Sequence, residues 1–178
     1  MIPQEKAEAI NLLILDVDGV LTDGQIILTE QGEEIKSFNA RDGHGLRMLM
    51  EKGIEVIIIT GRRSKAIDYR ARDLGILEVY QGVREKGSLC EQILKKRSLN
   101  KDQVCCVCDD LPDIPLIRNA GISFAVSDAS EEIRALSTYV TQKKGGRGAV
   151  REVCEILLTS RGQWPFGPGQ NSALQQDS

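Results

Sequence analysis

Short runs of consecutive apolar residues recur along the chain, with polar and mixed segments between them. Four such runs lie at 12–15, 56–59, 104–108 and 122–126. A strand that is buried on both faces carries a continuous run of this kind, so each one predicts a strand inside a parallel sheet. Between the runs, apolar residues recur three or four positions apart, which predicts helices that cover the sheet, the last at about 149–158. The sequence therefore predicts an α/β fold, a Rossmann-like parallel sheet flanked by helices.

Residues 24–38 break this alternation just after the first predicted strand. Two β-like stretches at 25–29 and 34–38 flank a short polar segment, which predicts an inserted β-hairpin. An isolated hairpin is only marginally stable in water, so its apolar side chains need a partner surface. That surface belongs either to the same domain or to another subunit. No longer insertion is present, so we expect no large cap domain.

The length of the chain favours one domain. The sequence has 178 residues, and a typical domain takes about 100–200 residues. We therefore expect a single domain over residues 1–160. Residues 161–178 are rich in Gly, Pro, Gln and Ser, which predicts a flexible C-terminal tail. Trp164 and Phe166 lie within this tail and leave open that it docks on another surface.

The charge and hydropathy of the chain exclude several partners. The formal net charge is -3 at pH 7, which gives no general attraction to nucleic acid. No apolar run approaches the roughly 18–20 residues that cross a bilayer, and the polar start of the chain lacks the apolar core of a signal peptide. We therefore expect a cytoplasmic protein with no nucleic-acid partner and no membrane partner.

Cysteine and histidine usage excludes further classes. The 5 cysteines are an odd number, so we expect free thiols in a reduced compartment. Cys105 and Cys108 have C-x-x-C spacing, but they lie inside an apolar run, where cysteine behaves as a small hydrophobe. A zinc or redox site is the weaker alternative, because His44 is the only histidine. No nucleophile elbow, P-loop or dinucleotide-binding glycine motif is present.

Polar side chains follow three of the predicted strands at the point where each ends. Asp16 and Asp18 follow the first strand, Thr60 ends the second, and Asp109 and Asp110 follow the third. Ligand sites of parallel sheets lie beyond the carboxyl ends of the strands, so we expect these side chains to converge. Neighbouring carboxylates repel each other unless a cation compensates them. The sequence therefore predicts a Mg²⁺ site at this edge of the sheet.

Thr60 and Lys86 extend this prediction from metal to phosphate. Taken singly, Thr60 is typical of a helix N-cap and Lys86 of a solvated surface charge. Together with the carboxylates they supply a hydroxyl and an ammonium that suit a phosphoryl group.

These residues, in this order along the chain, resemble the four motifs of the haloacid dehalogenase superfamily of phosphatases. Three further segments, 39–43, 60–62 and 143–152, resemble one family within it, the 3-deoxy-D-manno-octulosonate 8-phosphate phosphatases. The resemblance covers about residues 10–158. One position departs from the pattern, because Cys108 stands where this family usually has glycine before the paired aspartates.

The resemblance implies a Mg²⁺-dependent phosphatase that hydrolyses this eight-carbon sugar acid phosphate in lipopolysaccharide precursor synthesis. Asp16 would attack phosphorus and form an aspartyl phosphate. Asp18 would protonate the leaving oxygen and then activate water. Thr60 and Lys86 would stabilise charge on the transferring group.

The resemblance also implies the ligands of the metal and of the substrate. Mg²⁺ would be held by Asp16, the main-chain carbonyl of Asp18 and Asp109, with Asp110 supporting them. Arginine pairs well with the phosphate and the carboxylate of a sugar acid phosphate. The residues implied to bind the substrate are Asp18, Asn39, Arg41, Asp42, Gly43, Arg47, Arg62, Arg70 and Lys86.

The resemblance further implies a homotetramer, in which the inserted hairpins meet and neighbouring subunits close the active sites. The glycine-rich loop at 145–148 either reaches towards a neighbour's site or is a flexible lead-in to the last helix.

Three other functions stay open at this point. A phosphatase for a related nine-carbon sugar acid 9-phosphate has the same chemistry. A signalling receiver domain also combines paired acids, a phosphorylated Asp, a Thr and a Lys, but in a different order along the chain. A noncatalytic assembly module derived from the phosphatase fold would not need the complete set of site residues.

Overall fold

The computed structural model describes residues 2–165, and a six-stranded parallel sheet forms their centre. The strands, including those of a separate two-stranded sheet, are β1 (Leu12–Leu15), β2 (Ile27–Leu28), β3 (Glu34–Ile35), β4 (Glu55–Thr60), β5 (Glu78–Gln81), β6 (Val104–Cys108), β7 (Ile122–Ala125) and β8 (Tyr139–Val140). The order of the strands in the six-stranded sheet is β5-β4-β1-β6-β7-β8.

Helices cover the sheet and connect its strands. They are α1 (Gln4–Ala9), α2 (Ala40–Glu51), α3 (Lys65–Leu74), α4 (Lys86–Arg97), α5 (Ile114–Arg118), α6 (Glu131–Leu136) and α7 (Ala149–Ser160), with short 3₁₀ helices at Lys101–Gln103 and Leu111–Asp113. The prediction of a parallel sheet flanked by helices is confirmed.

The topology brings the candidate site residues together. β1 pairs with both β4 and β6, and Leu15 is in register with Ile58 on one side and Val107 on the other. The carboxyl ends of these three strands are therefore adjacent. β5 and β8 were not predicted, because these edge strands are only partly buried and show no continuous apolar run.

The inserted hairpin is present, with shorter strands than the sequence predicts. β2 and β3 are antiparallel, and Ile27 pairs with Ile35. The hairpin leaves four large apolar side chains exposed to solvent in the single chain. These are Ile26, Ile27, Leu28 and Ile35, with exposed fractions of 55%, 45%, 61% and 50%.

All five cysteines are buried and free. Burial raises the pKa of the Cys105 thiol, and a hydrogen bond to Cys106 together with burial raises the pKa of the Cys108 thiol. Protonated thiols inside the core favour packing over the zinc or redox alternative. The thiol that replaces the usual glycine, that of Cys108, lies 3.7 Å from the Cys106 thiol and causes no break in β6.

The first residues of the predicted tail pack on the domain. The guanidinium of Arg161 donates to the Ile10 carbonyl at 2.9 Å, and the Trp164 ring lies 4.9 Å from the guanidinium carbon of Arg151. Arg161 and Trp164 thus contact the domain, and the flexibility of the tail from residue 161 stays a prediction. Phe166 and the rest of the predicted tail lie outside the described residues. Within the described range, no helix is long and apolar enough to cross a membrane.

Candidate active site

A cleft of about 330 Å³ lies at the carboxyl ends of β1, β4 and β6. It contains all four predicted catalytic residues, both aspartates that follow β6, and Arg62. The residues that line it are Asp16, Asp18, Gly24, Thr60, Gly61, Arg62, Val83, Lys86, Asp109, Asp110, Pro112 and Asp113.

A buried ammonium lies between two carboxylates at the base of this cleft. Lys86 Nζ is 2.9 Å from Asp16 Oδ1 and 2.6 Å from Asp113 Oδ1, and its side chain is only 4% exposed. Burial acts to lower the pKa of Lys86, but Asp16 and Asp113 outweigh it and raise that pKa. Lys86 is therefore a permanent positive charge beside Asp16, contrary to its interpretation as a surface residue.

Three acidic side chains share the base of the cleft and disfavour one another's ionisation. Asp16, Asp109 and Asp113 place oxygens within 4.8 Å of one another. Burial first, and then the charges of Asp16, Asp113 and Asp110, raise the pKa of Asp109 to about 8. Burial and the neighbouring Asp16 likewise raise the pKa of Asp113 to about 6. One ammonium does not balance this cluster, so it fits a hard divalent cation such as Mg²⁺.

Asp113 differs from the other two carboxylates because both of its oxygens are already used. Oδ1 accepts from Lys86, and Oδ2 accepts from the main-chain N–H of Asp109 at 3.3 Å. We therefore assign Asp113 to holding Lys86 in place, and leave Asp16 and Asp109 as carboxylates for the cation. The sequence prediction assigned Asp113 no role, although its position three residues after Asp110 was visible. Asp110 lines the cleft, and its supporting role stays a prediction.

Tight packing of glycine brings Asp109 to the cluster. A Cβ atom at Gly19 would lie 2.0 Å from Asp109 Oδ2, and Gly19 has a positive φ of 86°. Only glycine satisfies both conditions.

Glycines of the 145–148 loop pack against the same turn. A Cβ at Gly145 would lie 1.6 Å from the Gly19 carbonyl oxygen. In the single chain this loop supports the turn that follows β1 and leads into α7. Its reach towards a neighbour's site stays a prediction.

Thr60 is buried at the end of β4, and its hydroxyl accepts a long hydrogen bond of 3.4 Å from the N–H of Arg62. Helix α3 begins later and is capped by Ser64, so Thr60 is not the N-cap of that helix. Its hydroxyl proton remains available to an anion in the cleft.

Asp18 contacts a residue that the sequence prediction did not include. Its Oδ1 accepts a hydrogen bond from Lys36 Nζ, which comes from the end of the hairpin. Its Oδ2 lies 3.9 Å from Arg62 Nε. Glu34 of β3 accepts from Arg62 at 2.9 Å and from Lys36 at 3.3 Å. No local sequence pattern indicates these contacts, because they depend on how the hairpin folds back over the cleft.

Six predicted substrate-binding residues do not line the cleft of their own chain. They lie on and around α2 and α3, and are Asn39, Arg41, Asp42, Gly43, Arg47 and Arg70. Arg70 and Arg47 pair with Asp73, and Arg70 also donates to the Asn39 carbonyl at 3.2 Å. Gly43 provides the space for Arg70, since a Cβ there would lie 2.2 Å from Arg70 Nη2.

Asp42 makes a structural contact in the single chain, and its contact with the substrate stays a prediction. It is 1% exposed, and its Oδ1 accepts from the main-chain N–H of Arg151 at 2.7 Å. Arg151 lies in the first turn of α7, where N–H groups have no partner within the helix. Asp42 therefore caps α7 from α2, and burial raises its pKa against the effect of these hydrogen bonds.

This arrangement can carry out phosphoryl transfer. It offers a carboxylate beside a buried ammonium, a second carboxylate on the rim, a cation site and hydroxyl and guanidinium donors for an anion. A deep apolar pocket for a large ligand is missing from the described part of the site.

Comparisons with known proteins agree with this chemistry. A family described as haloacid dehalogenase-like hydrolase matches residues 71–153. The 3-deoxy-D-manno-octulosonate 8-phosphate phosphatase of Salmonella typhi is 47% identical over 166 residues, which cover 93% of this chain and 88% of the relative.

Two solved structures are also similar. One is the 3-deoxy-D-manno-octulosonate 8-phosphate phosphatase of Moraxella catarrhalis in complex with magnesium, phosphate and KDO, with a TM-score of 0.87, 43% identity, and coverage of 90% of this chain and 92% of that one. The other is the cobalt-bound deoxy-D-mannose-octulosonate 8-phosphate phosphatase of Haemophilus influenzae, with a TM-score of 0.87, 39% identity, and coverage of 93% and 97%.

Proposed function

We propose that this chain, which belongs to the 3-deoxy-D-manno-octulosonate 8-phosphate phosphatases of the haloacid dehalogenase-like hydrolases, is a Mg²⁺-dependent enzyme that hydrolyses 3-deoxy-D-manno-octulosonate 8-phosphate to the sugar acid and phosphate. The observation that carries the proposal is the cluster of Asp16, Asp109 and Asp113 around Lys86 in a chain so similar to these enzymes.

The first half of the reaction transfers the phosphoryl group to the protein. An oxygen of Asp16 forms a bond to phosphorus while the bond from phosphorus to the sugar oxygen breaks. Asp18 gives a proton to the departing oxygen, so that the sugar leaves as an alcohol. Lys86 keeps the Asp16 carboxylate in place through a 2.9 Å ion pair.

The second half returns the protein to its starting state. Asp18, now ionised, takes a proton from a water molecule as that water attacks phosphorus and the bond to Asp16 breaks. Thr60 and Lys86 stabilise negative charge on the transferring group in both halves. Asp16, Asp109 and the Asp18 main-chain carbonyl would hold Mg²⁺, which would supply positive charge to neutralise the transferring phosphoryl group.

The substrate carries two anionic groups, and arginines provide suitable partners. Arg62 lines the cleft and is half-exposed. We assign Arg41, Arg47, Arg70 and Asn39 to the substrate as well, at a surface that a neighbouring subunit completes.

A homotetramer is supported by the exposed apolar side chains of the hairpin, which lack a partner within the described chain. Meeting hairpins would bury these side chains and close the active sites.

We place the enzyme in the cytoplasm, a reducing compartment that suits its five free thiols.

The test is phosphate release from 3-deoxy-D-manno-octulosonate 8-phosphate with Mg²⁺. We expect turnover by the unaltered enzyme, and a loss of at least about 10³-fold for Asp16→Asn, which removes the nucleophile. EDTA should abolish turnover, and added Mg²⁺ should restore it.

The nine-carbon alternative is tested in the same assay. A kcat/KM at least about tenfold higher for the eight-carbon substrate, or 1.4 kcal/mol of preference, supports the proposal. A higher value for the nine-carbon 9-phosphate would overturn the substrate and keep the chemistry. Stoichiometric phosphorylation without turnover would indicate the receiver function instead.

A further inference from the structure

The side chain of Lys36 is buried where the hairpin contacts the turn that follows β1. This turn, residues 17–22, contains Asp18 and is called the catalytic turn below. The Lys36 side chain is 1% exposed, and its Nζ donates to Asp18 Oδ1 and lies 3.3 Å from Glu34 Oε1. A lysine side chain loses up to about 2 kcal/mol of rotamer entropy when it is fixed. Two charged hydrogen bonds offset that loss, so Lys36 has one defined position in the closed site.

Because of this contact, the two carboxylate oxygens of Asp18 have different environments. Oδ1 is occupied by the ammonium of Lys36. Oδ2 is buried and has no hydrogen-bond partner within the described residues, and the nearest cation, Arg62 Nε, is 3.9 Å away. A buried carboxylate oxygen without a donor is costly, so this oxygen is the one that a hydroxyl of the substrate or a water would satisfy.

The alternation of side chains along the second hairpin strand favours a specific contact of Lys36 with the cleft. Successive side chains of a strand point to opposite faces, and Glu34 and Lys36 both face the cleft, whereas Ile35 between them is 50% exposed on the other face. Glu34 also accepts from Arg62 at 2.9 Å. The hairpin therefore brings one ammonium and one carboxylate to the site together, and the paired side chains of Ile27 and Ile35 lie on its other face.

We propose that Lys36 is a positioning residue that holds Oδ1 of Asp18, so that Oδ2 carries the proton that is exchanged with the substrate. In the first half of the reaction the proton on Oδ2 moves to the leaving sugar oxygen as its bond to phosphorus breaks. In the second half Oδ2 takes a proton from the attacking water. Lys36 keeps its own protons throughout. The inference rests on the proposed function and deepens it.

The effect of Lys36 is expected to depend on the leaving group. An alkyl phosphate releases a poor leaving group, which needs the proton from Asp18, whereas an aryl phosphate releases a good one, which does not. The ratio kcat/KM reports only the steps up to the first irreversible one, departure of the leaving group. Loss of positioning therefore lowers kcat/KM for alkyl phosphates and spares it for aryl phosphates.

The experiment compares Lys36→Met, Lys36→Arg and the unaltered enzyme on three substrates. These are 3-deoxy-D-manno-octulosonate 8-phosphate, a sugar phosphate without a carboxylate, and p-nitrophenyl phosphate. General acid–base catalysis contributes about 10²–10⁴-fold, so we expect Lys36→Met to lower kcat/KM about 10- to 100-fold for both alkyl phosphates. The value for p-nitrophenyl phosphate should change less than about threefold. Lys36→Arg, which keeps a cationic donor, should recover part of the loss.

A matched control is Lys95→Met, which makes the same change at an exposed position of α4 and should leave all three values unchanged. An equal loss on all three substrates would overturn the inference, because it would show a general effect on the site. A loss confined to the sugar acid phosphate would also overturn it, because Lys36 would then bind the carboxylate directly. Failure of the unaltered enzyme on the sugar acid phosphate alone would instead contradict the proposed function.

Discussion

At the scale of single residues, the site contains several carboxyl groups whose pKa values are raised above the usual range. The pKa of Asp109 is raised to about 8 and that of Asp113 to about 6, mainly by burial and then by their charged neighbours. Each group keeps its proton in the folded state at a pH where the unfolded chain has lost it. Near neutral pH these carboxyl groups therefore lower the free energy of unfolding of the metal-free protein.

The pH dependence of stability follows from the direction of these shifts. A carboxyl group with a raised pKa in the folded state stabilises the fold fully below its unfolded pKa of about 3.8. That contribution is lost as the pH rises through the folded value, at up to about 1.4 kcal/mol per pH unit for each group. For Asp109 the window extends to about pH 8. We expect the metal-free enzyme to melt at a lower temperature at pH 8 than at pH 6.

Mg²⁺ should offset the loss of stability of the enzyme between pH 6 and pH 8. A ligand present at about 100 times its Kd stabilises the folded state by about 2.7 kcal/mol, and protons compete with the metal for the same oxygens. The rise in Tm on adding Mg²⁺ should therefore be larger at pH 8 than at pH 6, and Asp109→Asn should remove most of it. Equal shifts at the two pH values would show that these carboxylates do not hold the cation.

Residues that follow strands could be predicted from sequence, and residues brought in by the hairpin could not. Asp16, Asp18, Thr60 and Asp109 are adjacent because parallel strands end at one edge, and each is marked by the apolar run before it. Lys36 reaches Asp18 only because the hairpin turns back over the cleft. Its neighbours in the sequence give no sign of this.

At the scale of elements, the junction of α2 and α7 supports the site from outside. Asp42 of α2 accepts the N–H of Arg151 in α7, and Gly45 of α2 lets the helices approach, since a Cβ there would lie 3.0 Å from Arg151 Cδ. The loop that precedes α7 in turn packs on Gly19 of the catalytic turn. Residues 39–43 are thus linked to the site through packing as well as through any contact with the substrate.

Asp42→Ala tests the structural assignment of this residue. Removing a cap and leaving a buried N–H without an acceptor costs about 1–3 kcal/mol. We expect this loss in urea denaturation, with kcat/KM at low temperature reduced less than about threefold. Asp42→Asn keeps an acceptor oxygen without the buried charge and should be close to the unaltered enzyme. Unchanged stability with a strongly reduced kcat/KM would contradict the structural assignment and support the predicted contact with the substrate.

Elements with periodic patterns could be predicted, and those set by tertiary contacts could not. The central strands and α7 follow from apolar runs and helical spacing. Edge strands β5 and β8 mix polar and apolar residues, because half of their surface faces water. The cap of α7 comes from a residue more than 100 positions earlier, at a distance that no local motif reports.

At the scale of the whole molecule, the hairpin carries several large apolar side chains that are exposed in the described chain. Its four exposed side chains lie on one short insertion. Scattered apolar residues on a surface are ordinary, whereas a group on one short element fits the subunit contact that we propose. Ile27 and Ile35 lie on the face of the hairpin opposite Lys36 and Glu34. The element that contacts Asp18 therefore also carries apolar side chains that we propose for the contact between subunits.

Leu28→Glu tests the proposed tetramer. Light scattering of the unaltered protein should give about four times 19.6 kDa, and a charge at Leu28, which is 61% exposed in the single chain, should give smaller species. Leu77→Glu introduces the same change at a side chain that is 94% exposed outside the hairpin, and should leave the mass unaltered. A stable monomer of the unaltered protein, or a tetramer of the Leu28→Glu variant, would contradict the proposed role of the hairpin in subunit contact.

The packing of Trp164 on Arg151 makes the protein its own fluorescent reporter. The chain has a single tryptophan, and its ring lies over the guanidinium of the residue whose N–H is held by Asp42. All indole emission therefore comes from one place at the end of α7, beside the junction with α2. A change in that emission when phosphate or substrate binds would come from the helix that the glycine loop joins to the catalytic turn, and could be timed without any attached dye.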